Sequence, residues 1–159
     1  MPFLALALLA QVTPVQPIVK GTGLPPAAGE EAQVLAAADA MLVALGAGDA
    51  AQAAARIRVD GGGGATVAAT ASDGTRTVRH LSWPQYLAGV AGHGEHEAFA
   101  GTPAVEIDGD VAMVWGDVRV TAGGQQMACG VDHLDLIREA ATWKVQNLTR
   151  SRRVTGCEG

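Results

Sequence analysis

The sequence predicts an α+β domain, with helices in the first half of the chain and antiparallel strands in the second half. Three observations lead to this prediction. Apolar residues follow helical spacing over residues 30–45, and a capping-box sequence opens another short helix at Ser82. Residues 105–153 hold three runs rich in Val, Ile, Leu and Trp, separated by turn signals. A chain of 159 residues is long enough for one domain with a substantial core.

Two segments precede the predicted domain. Residues 1–10 (MPFLALALLA) form an apolar run of signal-peptide length that is too short to span a bilayer. The run lacks a basic residue before its apolar core, so we interpret it as a truncated signal peptide, with a misplaced start as the alternative. Residues 11–29 are rich in proline without any periodicity, which predicts a disordered linker. Together these segments favour a periplasmic or secreted protein over a cytoplasmic one.

Each of the three predicted helices has its own boundary signal. Gly46 ends the first helix, and Asp49 caps the second. Ser82 and Gln85 form the capping box of the third. The predicted helices cover Glu30–Leu45, Ala50–Ile57 and Trp83–Val90.

A small hairpin is predicted between the second and third helices. Its strands, Ala65–Ala71 and Arg76–Leu81, flank a strong turn signal at residues 73–74 (Asp-Gly). Further along, Gly101 and Pro103 predict a break or bulge in the first long strand.

The register of the C-terminal strands follows from their turns. Residues 123–124 (Gly-Gly) predict a two-residue turn, because glycine tolerates positive φ at both positions. Counting outward from this turn places Trp115 opposite Asp132, and a looser turn is predicted at residues 139–142. A one-residue slip or a bulge would exchange the two faces. The predicted covered face carries Val111, Met113, Trp115, Leu134, Leu136, Trp143 and Val145, and the opposite face His133, Asp135, Lys144, Gln146 and Arg150.

Asp132 is the main candidate for a functional group. The predicted register places this carboxylate on the apolar face, beside Trp115, Asn147 and Thr149. A carboxylate in that position must be hydrogen-bonded, protonated or facing a cavity.

Four segments match a known superfamily in pattern: AGD at residues 47–49, IDGDVAMVWG at 107–116, CGVDHLDLI at 129–137 and WKV at 143–145. Over residues 30–157 the chain resembles the nuclear transport factor 2 superfamily, in particular its SnoaL-like, lumazine-binding type. The resemblance implies a cone in which the three helices pack on one strongly curved antiparallel sheet. The superfamily places ketosteroid isomerases, dehydratases, cyclases and binding modules on this cone, so it predicts the fold more closely than the function.

The cone implies an internal pocket, for which three functions are open. We expect a small-molecule-binding module that takes an apolar or aromatic ligand and needs no cofactor. The alternative is an isomerase- or dehydratase-type enzyme with Asp132 as general base or acid. A third function is a dimerising scaffold, a homodimer formed through the outer sheet face. Binding is preferred because the sequence offers no matched second acid. The predicted pocket residues are Tyr86, Met113, Trp115, Asp132, Leu134 and Asn147.

Other partners are not supported by the sequence. The net charge of −5 argues against nucleic acid. We interpret the one basic cluster in the sequence, Arg150, Arg152 and Arg153, as the solvated end of an edge strand. We interpret residues 93–97 (HGEHE) as a solvated loop rather than a metal site. For Glu97 a surface role is preferred, and the alternative implied by the resemblance is a side chain that points into the cone. His80 and the pair His133 and Asp135 are interpreted as structural or surface groups. No phosphate loop, nucleophile elbow or dinucleotide fingerprint is present.

Two cysteines allow a single disulfide. Cys129 is predicted in a strand and Cys157 lies beyond the last strand, where Gly156 allows the chain to bend back. A Cys129–Cys157 bridge and a pair of free thiols both remain open, and export would favour the bridge.

Overall fold

The computed structural model describes residues 29–90 and 94–157, so the predicted signal segment and all but the last residue of the predicted linker lie outside the described residues. Three helices pack on a mixed sheet of seven strands that does not close into a barrel. This confirms the predicted α+β class. The helices are α1 (Glu30–Gly46), α2 (Ala50–Ala55) and α3 (Trp83–Ala88). The strands are β1 (Gly64–Thr70), β2 (Arg76–Ser82), β3 (Glu95–Phe99), β4 (Ala104–Asp108), β5 (Val111–Ala122), β6 (Gln125–Glu139) and β7 (Thr142–Arg153).

The strand order is β2-β1-β7-β6-β5-β3, and β4 pairs with β5 beside β3. The prediction of an entirely antiparallel sheet is wrong at one place, because β1 runs parallel to β7. Strands β3 and β4 pair with successive parts of β5. Gly101, with φ of +100°, lies in the break between them, as predicted.

Two of the predicted capping interactions are present at the starts of the helices. The Asp49 carboxylate accepts a hydrogen bond of 2.9 Å from the Gln52 N–H, which confirms the predicted cap. The side chain of Gln85 accepts one of 3.0 Å from the Ser82 N–H. Helix α2 ends before the predicted residue because Ile57 forms a parallel bridge with Val145 of β7.

The two long hairpins turn in the same way with different residues. Gly123 and Gly124 adopt φ of +57° and +78°, and Ala122 pairs with Gln125 as predicted. The turn between β6 and β7 was predicted to be looser but is equally tight. It places Ala140 and Ala141 at φ of +47° and +65°, a region that costs an L-residue about 1–2 kcal/mol.

A bulge in β6 makes the predicted register of β5 wrong. Val120 pairs with Ala128 and Thr121 with Gln126, so Met127 is an extra residue. Trp115 therefore lies opposite His133 rather than Asp132. Trp115 lies on the face away from the helices and is 55% exposed. Val111 and Met113 share that face, which we call the outer face; the helix-covered face is the inner face.

A second bulge changes the face of β7 part-way along the strand. Leu136 pairs with Val145 and Asp135 with Asn147, which leaves Gln146 as the extra residue. The Trp83 indole donates a hydrogen bond of 3.0 Å to the Gln146 carbonyl. Beyond this bulge Asn147 lies on the outer face and Arg150 on the inner face, opposite the predicted assignment.

The core fills the space between the helices and the inner face. Trp83 of α3 is fully buried. The prediction that Leu134, Leu136, Trp143 and Val145 lie on the covered face is confirmed. The fully buried residues of α1 are Val34, Ala38, Met41 and Leu42. No helix in the described part of the chain is long and apolar enough to cross a membrane.

Candidate functional site: a buried arginine–carboxylate cluster

Five polar side chains meet on the inner face and form what we call the interior cluster. Asp132 on β6 pairs across the sheet with Arg150 on β7. Glu97 reaches the cluster from β3, and α3 contributes Tyr86. Asp132 is completely buried and Glu97 is 5% exposed. The cluster comprises Tyr86, Glu97, Asp132, Arg150 and Arg152.

Arg150 is the centre of the cluster. Its Nη2 donates to Asp132 Oδ2 at 2.5 Å and also to Glu97 Oε1. Its Nη1 donates to the Tyr86 hydroxyl at 2.7 Å. The Arg150 side chain is only 6% exposed. Its Nε has no hydrogen-bond partner among the described residues.

Arg152 binds the same two carboxylates from nearer the solvent. Its Nη1 donates to Asp132 Oδ1 at 2.8 Å, and its Nη2 donates to Glu97 Oε1. The Arg152 side chain is 15% exposed. The two carboxylates are therefore held differently. Each oxygen of Asp132 has its own arginine, whereas both arginines contact one oxygen of Glu97.

The pKa values of the two carboxyl groups are shifted in opposite directions. Burial acts to raise the pKa of Asp132, but the charges and hydrogen bonds of Arg150 and Arg152 outweigh it, and the pKa lies below its usual value. For Glu97 burial prevails over the two arginines, and with the nearby Asp132 charge it raises the pKa. Burial also raises the pKa of Tyr86, so its hydroxyl keeps its proton.

A cleft adjoins the cluster at Glu97. It lies between α1, β3 and the connection from β3 to β4, and its volume is about 360 Å³. Pockets for small molecules usually have about 300–1,000 Å³ and mostly apolar walls. Glu97 thus belongs both to this cleft and to the interior cluster. The other lining residues are Leu35, Asp39, Val43, His96, Ala98, Phe99, Gly101 and Pro103.

Structural comparison identifies related architectures. A Nostoc punctiforme protein with a cystatin-like fold superposes with a TM-score of 0.59 at 11% identity, over 84% of this chain and 97% of that chain. An NTF2-like protein from Silicibacter pomeroyi gives 0.57 at 16% identity, over 81% and 100% of the two chains.

The chain has the nuclear transport factor 2-like (NTF2-like) fold. A candidate dehydratase of the NTF2-like family from Streptomyces avermitilis gives a TM-score of 0.54 at 19% identity, over 77% of this chain and 94% of that chain. Identities this low establish the fold alone. No protein-family profile matches the sequence, and no curated protein matches it significantly.

Within this NTF2-like fold, half of the predicted pocket residues lie on the inner face. Tyr86 and Asp132 belong to the interior cluster, and Leu134 is fully buried beside it. The other three predicted pocket residues, Met113, Trp115 and Asn147, are wrong as pocket residues, because the two bulges place them on the outer face.

Three cluster residues are not among the predicted site residues. Glu97 was interpreted as part of a solvated loop, but residues 95–99 form strand β3 and bury its side chain. Arg150 and Arg152 were interpreted as the exposed end of a strand. A signal for them exists, because the buried apolar residues of β7 change from odd positions (Trp143, Val145) to an even one (Leu148). That change of phase indicates a bulge and turns the even-numbered arginines inward.

The remaining candidates lie outside the cluster. His133 Nε2 and Asp135 Oδ1 are 3.6 Å apart on the outer face, where a surface role was expected. His80 is exposed, and its Nδ1 lies 3.0 Å from Thr66 Oγ1. His93 lies outside the described residues. The part of the chain that the structure describes contains no cluster of three or more His, Cys, Asp or Glu side chains suited to a metal ion.

Proposed function

We propose that the domain binds a small, mostly apolar molecule whose polar end lies against the interior cluster. The observation that supports this most directly is that Arg150 Nε has no hydrogen-bond partner within the described part of the chain. A buried donor without an acceptor costs about 1–3 kcal/mol, and a ligand oxygen in contact with it would remove that cost. The adjoining cleft offers apolar walls for the rest of the molecule.

The cluster argues against Asp132 as a general base. Both of its carboxylate oxygens accept hydrogen bonds from arginines, and its pKa is lowered, so it is a weak proton acceptor at neutral pH. This supports binding over the proton-transfer mechanism that uses Asp132 as base.

A second candidate is an acid–base enzyme in which Glu97 donates the proton. The supporting observation is that burial and charge move the pKa values of Glu97 and Asp132 in opposite directions, an arrangement typical of paired catalytic carboxyl groups. In that mechanism Asp132 would stay ionised and hold Arg150 in place.

A ligand screen separates the two candidates. Steroid, polyketide and lumazine-type compounds are tested by thermal shift and then by product analysis. The binding module predicts stabilisation of about 2.7 kcal/mol at one hundred times the dissociation constant, without product. Product formation that is lost in Glu97→Gln but kept in the outer-face control Asp135→Asn would establish the enzyme instead. Compounds that give neither stabilisation nor product would contradict both candidates for these ligand classes.

A further inference from the structure

We propose that the molecule bound at the interior cluster carries a carboxylate, and that Glu97 takes up one proton when this carboxylate binds Arg150 and Arg152. This inference rests on the proposed binding function and adds the class of ligand. It follows from how the two arginines and the two carboxylates share their hydrogen bonds.

The first step concerns the donors. A guanidinium presents five N–H groups in a planar fork that matches the geometry of a carboxylate. Arg150 uses Nη1 and Nη2 within the cluster. Its Nε has no partner among residues 29–90 and 94–157, although the side chain is only 6% exposed. Arg152 is the more exposed of the two arginines and lies towards the solvent. The cluster therefore still has an arginine N–H group that can donate a hydrogen bond to an oxygen of a ligand.

The second step concerns which carboxylate an incoming one would replace. Asp132 bridges the two arginines, with a separate carboxylate oxygen accepting from each. Glu97 shares its Oε1 between both arginines. A ligand carboxylate can accept hydrogen bonds from the N–H groups that now point at Glu97 Oε1, while Asp132 keeps its own hydrogen bonds.

The third step is charge balance. Two arginines and two carboxylates are neutral together, and a third carboxylate would leave a buried, uncompensated negative charge, which is costly. A proton from solvent, added to the Glu97 carboxylate, restores neutrality. The described charged and titratable groups that face Glu97 are Asp132 of β6, Arg150 and Arg152 of β7 and Tyr86 of α3, with Asp39 and His96 in the adjoining cleft.

The surroundings of Glu97 favour this protonation. Gly46 of α1 lies against the backbone of Glu97, and Val120 of β5 pairs with Glu97 across the sheet. Burial and the Asp132 charge already raise the pKa of Glu97. A ligand carboxylate beside it adds a second negative charge and raises that pKa further.

The test compares carboxylates with their uncharged amides. Binding of 2-naphthoate, 2-naphthamide, decanoate and decanamide is measured by calorimetry at pH 6–9 in two buffers of different ionisation enthalpy. We expect each carboxylate to bind at least tenfold more tightly than its amide. Its affinity should fall towards tenfold per pH unit at the alkaline end, with uptake approaching one proton.

Two variants sharpen the result. Glu97→Gln mimics the protonated side chain, so it should keep carboxylate binding, lose proton uptake and bind more tightly than the wild type at pH 9. Arg153→Met, on the outer face, should leave both quantities unchanged. Equal binding of carboxylate and amide, or uptake that persists in Glu97→Gln, would overturn the inference while leaving the binding function intact. A failure of all four compounds to bind would contradict both.

Discussion

At the scale of single residues, burying the charges of the interior cluster is energetically unfavourable. Taking four charges out of water costs several kcal/mol per ion, and their mutual attraction repays this only with good geometry. Apolar side chains of similar volume would often make such a core equally or more stable. Arg150, whose Nε finds no acceptor in the described residues, therefore indicates a requirement other than stability.

The two carboxyl groups should respond to pH in opposite directions. The pKa of Asp132 is lowered in the folded state, so its stabilising contribution is present above its ordinary value of 3.8 and is lost as the pH falls below it. The pKa of Glu97 is raised, so its contribution is present below its ordinary value of 4.5 and is lost as the pH rises through the folded value. We expect Asp132→Asn to cost more stability at pH 7 than at pH 3. Glu97→Gln should cost less at pH 8 than at pH 4.

Urea unfolding of both variants from pH 3 to pH 8 measures these differences. Asp117→Asn on the outer face is the control, with an expected effect within about 0.5 kcal/mol. If the effects of Asp132→Asn and Glu97→Gln on stability change with pH in the same direction, the pKa values of the two carboxyl groups are not shifted in opposite directions.

At the scale of elements, local signals in the sequence predicted the helices, the hairpins and the Gly-Gly turn. Caps and turns depend on residues close in sequence, so a single sequence carries them. The faces of β5 and of the end of β7 were not predicted, because each depends on one extra residue. Met127 has no property that marks a bulge, and the Gln146 bulge is indicated only by the change of phase of the apolar residues in β7. The Gln146 bulge is held by Trp83, a contact between distant parts of the chain.

Substitutions in the turn between β6 and β7 should make the protein more stable. Ala140 and Ala141 both adopt positive φ, where Asn and Gly are favoured in two-residue hairpins. We expect the double variant Ala140→Asn, Ala141→Gly to raise the free energy of unfolding by about 1–2 kcal/mol. Gly123→Ala, in the corresponding turn between β5 and β6, should lower it by a similar amount. A double variant no more stable than the wild type in urea titration would rule out strain at this turn.

At the scale of the whole molecule, a disulfide links the segment that follows β7 to strand β6. Cys129 and Cys157 form a disulfide, with Cα atoms 5.5 Å apart and a sequence separation of 28. Gln126 Nε2 also donates to the Cys157 carbonyl at 2.9 Å. The bridge is located on the outer face of β6, three positions before Asp132, and so restrains the end of the ladder that carries the interior cluster.

Removing the bridge should destabilise the protein substantially. In the chain-entropy model a loop of this length contributes about 3–4 kcal/mol. Cys129→Ser combined with Cys157→Ser should lose roughly that amount in thermal or urea unfolding. We propose that the protein is exported, so mass spectrometry of periplasmic material before and after reduction should show one bridge. Two free thiols in such material would contradict this.

The parallel pairing of β1 with β7 has a consequence for biosynthesis. The neighbours of strand β1 are β2 and β7, and its β7 partners, Leu148 to Arg153, are made after all the other strands of the sheet. While the ribosome is still making β5 and β6, the first hairpin has no sheet to join, and a two-stranded hairpin alone is marginal in water. The first hairpin should therefore join the sheet only after β7 has been synthesised, so formation of the complete sheet must wait for that strand.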